Sequence, residues 1–143
     1  MPSLKINIVE YDDTRHRHEV IELWQSVFGY EAVHNSPPTV IDKKIEFNDG
    51  LFFVSEKQQT VVGTVMAGYD GHRGWIYSIA VRPDLQNQGI GSALLAFAQD
   101  RLITLGCRKI NLQIMEGNET VQRFYRANGF LVEKRVSMGK IMH

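Results

Sequence analysis

Apolar and polar side chains alternate along Lys5-Ile6-Asn7-Ile8-Val9-Glu10, the two-residue period of a strand with one buried face. The period then lengthens. Asp12-Asp13-Thr14 offers cap residues, and Val20, Leu23, Trp24, Val27 and Phe28 recur at three- and four-residue spacing, which predicts an amphipathic helix. Gly29 to Pro38 reads as a loop closed by two prolines, and Val40, Ile41, Lys44, Ile45 and Phe47 predict a second, shorter helix. Three runs rich in β-branched and aromatic residues follow, Leu51–Val54, Val61–Met66 and Gly74–Val81. The short polar breaks between them, Gln58-Gln59 and Tyr69 to Arg73, predict antiparallel hairpins, and Asp70 and His72 belong to the second turn.

A long helix is predicted from Gly89 to Leu105, with Leu94, Leu95, Ala98, Leu102 and Leu105 on one face and Gly106 as its stop. Ile110, Leu112 and Ile114 alternate with Lys109, Asn111 and Gln113, a strand with one polar face. A short helix from Asn118 ends at Asn128-Gly129, and Phe130-Leu131-Val132 opens a last strand. The fold class is therefore α/β with a mixed sheet, in the order β-α-α-β-β-β-α-β-α-β. The crossover helix makes the strands that flank it parallel.

Composition narrows the function. At 143 residues the chain suits a single domain spanning 1–143, large enough to fold around its own core. Sixteen basic and sixteen acidic side chains cancel, which argues against a nucleic-acid coat. The cancellation hides an asymmetry: six basic and eleven acidic residues precede His72, and ten basic and five acidic residues follow from there. A basic half suits an anionic ligand, and an acidic half suits a cationic one. The one cysteine, Cys107, excludes an internal disulfide and reads as a small buried hydrophobe; four-ligand zinc spacing is absent, so no metal is expected. The N-terminus lacks the apolar stretch of a secretory signal, and the longest uncharged run, Leu85 to Gln99, is too short and too polar to span a bilayer. A cytoplasmic chain with no membrane or nucleic-acid partner is expected.

The most informative segment is Val81-Arg82-Pro83-Asp84-Leu85-Gln86-Asn87-Gln88-Gly89-Ile90-Gly91-Ser92-Ala93-Leu94, which joins a strand end to the long helix. Unpaired N–H groups and the helix dipole there attract an anion, and glycines let the backbone approach it. No Gly-Lys-Ser/Thr follows, so this is not a P-loop. A dinucleotide fingerprint needs Gly or Ala where Leu94 stands.

The segment resembles the acyl-CoA loop of the GNAT N-acetyltransferases, whose core pattern Gln/Arg-x-x-Gly-x-Gly/Ala is filled by Gln86, Gly89 and Gly91. Asn118, the Phe124-Tyr125 pair, Asn128-Gly129-Phe130 and the element order extend the likeness from about Leu4 to Lys140. Within the family, Val61 to Gly74 resembles the corresponding stretch of the bacterial YpeA-type acetyltransferases, and the phosphate loop departs from them.

This resemblance implies a GNAT fold in which acetyl-CoA, the cosubstrate, lies between splayed parallel strands, here Trp75–Val81 and Lys109–Met115. Main-chain groups of Ile79, Ala80 and Val81 would pair with the pantetheine arm, one of their N–H groups polarising the thioester carbonyl. N–H groups of Gln86, Asn87, Gln88, Gly89, Ile90, Gly91 and Ser92 would take the pyrophosphate, with Asn118 and Tyr125 also at the cosubstrate. Tyr125 holds the family's place for the donor that protonates the leaving thiolate. Direct attack by a neutral amine is implied, with no acyl-enzyme. At pH 7 a lysine with pKa ~10.4 is neutral in about 0.04% of molecules, against about 10% for an α-amine near ~8, so a base matters more for lysine. A related branch has a base where this chain has Gln113, which cannot accept a proton; Glu31, His34 and Glu116 are substitutes. Tyr30, Glu31, His34 and Gln113 are the candidates for the acceptor side. The expected partner is an amine-bearing small molecule, peptide or protein, and a homodimer is a possible assembly. The alternative function is a non-catalytic acyl-CoA-binding sensor, supported by Gln113 alone.

Overall fold

The computed structural model describes residues 5–28 and 36–143, so the acceptor candidates Tyr30, Glu31 and His34 lie outside the described residues. Its contacts divide the chain into two units, Met1–Leu112 and Gln113–His143.

In the first unit, β1 (Ile6–Glu10), β2 (Phe52–Lys57), β3 (Thr60–Tyr69), β4 (Gly74–Val81) and β5 (Ile110–Asn111) form one sheet in sequence order. Neighbours are antiparallel up to β4, and β5 then runs parallel to it. Both hairpins and the parallel crossover are as the sequence predicts. Helices α1 (Asp13–Val27) and α2 (Pro37–Phe47) cover one face. There Val20, Leu23, Trp24 and Ile41 pack with Phe52, Val54, Met66 and Ala80 in one apolar cluster. Helix α3 (Ile90–Thr104) closes the other face with Leu94, Leu95, Ala98 and Leu102, all essentially solvent-free. Its approach is close at β4: a Cβ on Gly74 would stand 2.8 Å from the Cys107 sulfur and 3.1 Å from the Leu102 side chain. Cys107 is buried, as its reading as a small hydrophobe requires.

Local chemistry explains the helix starts. The Asp12 carboxylate accepts the N–H groups of Thr14 and Arg15 at 3.0 and 3.4 Å, capping α1. Pro37 and Pro38 do not close a loop; they open α2, where a missing N–H costs nothing. His16 was not legible as a core residue, yet it is 1% exposed. Its Nδ1 accepts the Asp12 N–H at 2.9 Å, so in the neutral ring Nε2 carries the proton and donates to Glu56 at 2.9 Å. Arg15 bonds the same carboxylate oxygen, and the trio ties α1 to β2.

Two strand expectations need correction. The strand expected over Lys109–Met115 is regular only at Ile110–Asn111, because it leaves the ladder after two pairs, Gly74 with Ile110 and Trp75 with Asn111. In the second unit, α4 (Glu119–Ala127) forms with Asn118 as its cap, but Phe130-Leu131-Val132 opens no strand. Leu131 and Val132 are exposed; strand propensity in three residues does not supply the partner that makes a strand.

Candidate active site

The site grows from an irregularity in β4. Thr64 pairs with Ala80 and Met66 with Tyr77, so Ser78 and Ile79 together oppose Val65. This is a β-bulge, and Ser78 takes a left-handed φ of 49°, which costs a non-glycine residue roughly 1–3 kcal/mol. Two hydrogen bonds hold it. The Trp24 indole N–H donates to Thr64 Oγ1 at 2.8 Å, and that hydroxyl donates to the Ser78 carbonyl at 2.8 Å. Trp24 was read in the sequence only as a core position of its helix, and Thr64 and Ser78 were not singled out, because a serine in a β-rich run carries no mark of positive φ. A buried tryptophan announces that its N–H needs a partner, but not which one.

Among the described residues no strand of the sheet pairs with the outer edge of β4 beyond Trp75, so Ile76 to Val81 run on with that edge open within the sheet. Ile79 and Val81 are half-buried there, and Ala80 faces the apolar cluster. The chain then turns through a 3₁₀ segment, Pro83–Leu85, pinned by buried Leu85 and braced by Arg82, whose guanidinium grips Asp84 at 2.7 and 3.0 Å. That contact holds the Asp84 carboxyl below its ordinary range. The Gln86 side-chain amide reaches back to the Val81 carbonyl at 3.1 Å, so Gln86 serves as a clip between loop and strand.

Asn87, Gln88 and Gly89 are exposed, and Ile90 anchors the turn from below. Gly89 is the N-cap of α3 with φ of 86°, and no side chain caps the helix. A Cβ at Gly89 would meet nothing of the protein within 4 Å. The first helical bond runs from Ala93 N–H to the Gly89 carbonyl at 3.0 Å, which leaves the N–H groups of Ile90 and Gly91 outside the helix's own ladder. Partial positive charge at this end suits an anion, as the spacing of Gly89 and Gly91 leads one to expect.

The α1 flank of the same unit holds a cavity of about 250 Å³ lined in part by Glu19, Glu22, Ser26 and Arg82. Glu19 accepts the Val61 N–H at 2.8 Å. Among the described residues no group of three His, Cys, Asp or Glu gathers to hold a metal ion, and no helix is long and apolar enough to cross a membrane. Asp70 accepts the His72 and Arg73 N–H groups, and both expected turn residues sit in that hairpin.

In the second unit, Asn118 accepts the Val121 N–H at 3.2 Å and caps α4. Tyr125 is buried, its ring edge-on to Phe124 at 5.0 Å and to Phe130 at 5.5 Å. Burial raises its phenol above the usual value, so it stays protonated at neutral pH. Gln113 donates to Ser137 Oγ at 2.5 Å.

Raised phenols have a consequence for the fold. Burial, with the Asp13 carboxylate adding to it, raises Tyr11, and burial alone raises Tyr125. A phenol that binds its proton more tightly when folded contributes stability that is complete below about pH 10, its unfolded value, and is lost as pH climbs past it. The melting temperature is expected to hold from pH 8 to 9 and to drop above 10, with a smaller drop in Tyr125→Phe. Equal drops in both proteins would exclude a contribution from Tyr125.

Three comparisons bear on the chain as a whole. The profile described as the acetyltransferase (GNAT) family matches residues 17–130. An acetyltransferase of Yersinia pestis and one of Yersinia pseudotuberculosis are each 35% identical over 137 residues, which cover 96% of this chain and 94% of theirs. Among solved structures, the aminoglycoside N-acetyltransferase AAC(6')-Iy in complex with CoA superposes with a TM-score of 0.79 at 18% identity, covering 98% of this chain and 97% of that one. The PaiA N-acetyltransferase of Thermoplasma acidophilum, also with coenzyme A, gives 0.76 at 18% identity over 93% and 94% of the two chains. At that identity the likeness speaks for the fold. The profile match and the 35% relatives carry the assignment: the chain belongs to the GNAT family and is an N-acetyltransferase.

Proposed function

We propose that residues 1–143 act as one N-acetyltransferase domain that moves an acetyl group from acetyl-CoA to a primary amine by direct attack in a ternary complex. The observation that carries this reading is the run from an open strand edge through a short loop to the uncapped N-terminus of α3. The edge suits an extended pantetheine arm on the main chain of Ile79, Ala80 and Val81, and the helix end suits the pyrophosphate at the N–H groups of Gln86 to Ser92. CoA in two of the similar folds supports the same use.

In this mechanism the strand N–H withdraws charge from the carbonyl oxygen as the amine nitrogen attacks carbon, and the C–S bond then breaks. One proton leaves the nitrogen and one reaches the sulfur. Tyr125 is proposed as the donor at the sulfur, a role resting on the family likeness. Asn118, whose cap holds the helix that carries Tyr125, is proposed beside the cosubstrate. The acceptor side is assigned to Tyr30, Glu31, His34 and Gln113, and around the α1-flank cavity Glu19 and Glu22 outnumber Arg82, in keeping with an acceptor that arrives as ammonium. AAC(6')-Iy has been solved with a bisubstrate analogue of CoA and an acetylneamine, and an amine-bearing acceptor is proposed here too. The YpeA-type subgroup and a cytoplasmic location are part of the same proposal.

Thiol release from acetyl-CoA is the test, across a peptide with a free α-amine, a lysine peptide and a polyamine. Turnover of at least one, with intersecting double-reciprocal plots, is expected. Parallel plots would replace direct attack with an acyl-enzyme. Tight acetyl-CoA binding without turnover on any amine would leave a sensor.

A further inference from the structure

We propose that Trp24 and Thr64 are positioning residues for acetyl transfer: their relay aims the Ile79 N–H at the thioester carbonyl. The inference rests on the reading above, in which the β4 edge receives the acetylated arm. It adds which donor acts and what holds it.

The polarity of the relay admits one reading. An indole N–H only donates and a main-chain carbonyl only accepts, so the Thr64 hydroxyl must accept from Trp24 and donate to Ser78. The Ser78 carbonyl and the Ile79 N–H are opposite ends of one planar trans peptide. Fixing the carbonyl toward Thr64, on the β3 side, turns the Ile79 N–H away from β3. That direction is the edge of β4 no longer paired with β5.

Packing alone does not call for the hydroxyl. Thr64 is 0% exposed and pairs with Ala80, one of the apolar cluster's own residues. Valine would fill nearly the same volume. What threonine adds is a donor that holds a carbonyl whose residue sits at positive φ, and so fixes the plane of the peptide. Preorganised donors accelerate acyl transfer because they need no reorientation as charge develops.

Infrared difference spectroscopy with carbonyl-¹³C acetyl-CoA reads the contact without an acceptor. In wild type the thioester band is expected below its frequency in water. Thr64→Val, and Trp24→Phe/Thr64→Val in which no indole N–H is left unpaired, are expected to move the band back toward the free value. The same variants are expected to lower kcat about 10- to 100-fold while CoA affinity stays within about threefold. Thr64→Ser, which keeps the hydroxyl, is expected to restore both. An unmoved band and unchanged kcat in folded Thr64→Val would overturn the proposal. So would a loss of kcat that merely tracks losses of CoA affinity and melting temperature. An unshifted band in wild type that still binds acetyl-CoA removes the thioester contact at β4 itself, a different failure from the one seen only in the variants.

Discussion

Replacing Gly89 and Gly91 together with valine is expected to weaken acetyl-CoA binding about 100-fold or more, roughly 3 kcal/mol. Two effects contribute. At Gly89 the φ of 86° is a conformation that β-branched residues resist, so the loop must shift to admit one. A side chain on either residue also stands at the uncapped end of α3, where the diphosphate would meet the main chain. Because a Cβ at Gly89 meets no protein atom within 4 Å, loss of affinity there cannot be charged to a clash within the fold. Gly89→Asn separates the two effects, since asparagine tolerates positive φ while still presenting a side chain. It is expected to melt near the wild-type temperature and yet bind CoA weakly. Calorimetry with CoA and with acetyl-pantetheine, which lacks the diphosphate, locates the loss: the first ligand should suffer and the second should not. Unchanged CoA affinity in the double variant would remove the diphosphate from this helix end.

What could be read before the fold was known follows from how local the information is. The turn into α3 at Gly89 was legible because its signal lies in one stretch of chain, and both hairpins were legible because the polar breaks are short. The Pro37-Pro38 pair shows the limit of such rules, since proline both ends loops and begins helices, and only the position of Ser36 as N-cap decides between them. The Trp24–Thr64–Ser78 relay joins residues 40 and 14 positions apart and depends on a bulge that no glycine marks. His16 and Glu56, 40 positions apart, satisfy each other only once α1 lies on β2. The last strand failed for the opposite reason: Phe130-Leu131-Val132 has the local preference, but a strand also needs a neighbour. At Gln113 the reading that a base is missing stands on chemistry alone, and the amide bonds Ser137 as a donor.

Tyr125→Phe is expected to lower kcat on a good amine about 100-fold while leaving acetyl-CoA affinity within about threefold. The change removes one oxygen and keeps the ring that packs edge-on to Phe124 and Phe130, so the protein should remain folded. The expected effect follows from the proposed role of Tyr125 at the breaking C–S bond. An alkyl thiolate, with a conjugate acid near ~8.5, leaves more readily when a donor meets its developing charge, and the Tyr125 phenol, already protonated at neutral pH and raised further by burial, keeps its proton to offer throughout that range. Since the shift is upward, ionisation of Tyr125 cannot lower kcat below pH 10; the acid limb of the profile reports the acceptor ammonium. A donor at sulfur also matters less as the thiolate becomes less basic. With an acetyl ester of an aromatic thiol that still binds, the deficit of Tyr125→Phe should shrink toward unity, whereas a role in packing would depress both substrates equally. A variant as fast as wild type on acetyl-CoA would assign the proton at sulfur to another group or to water.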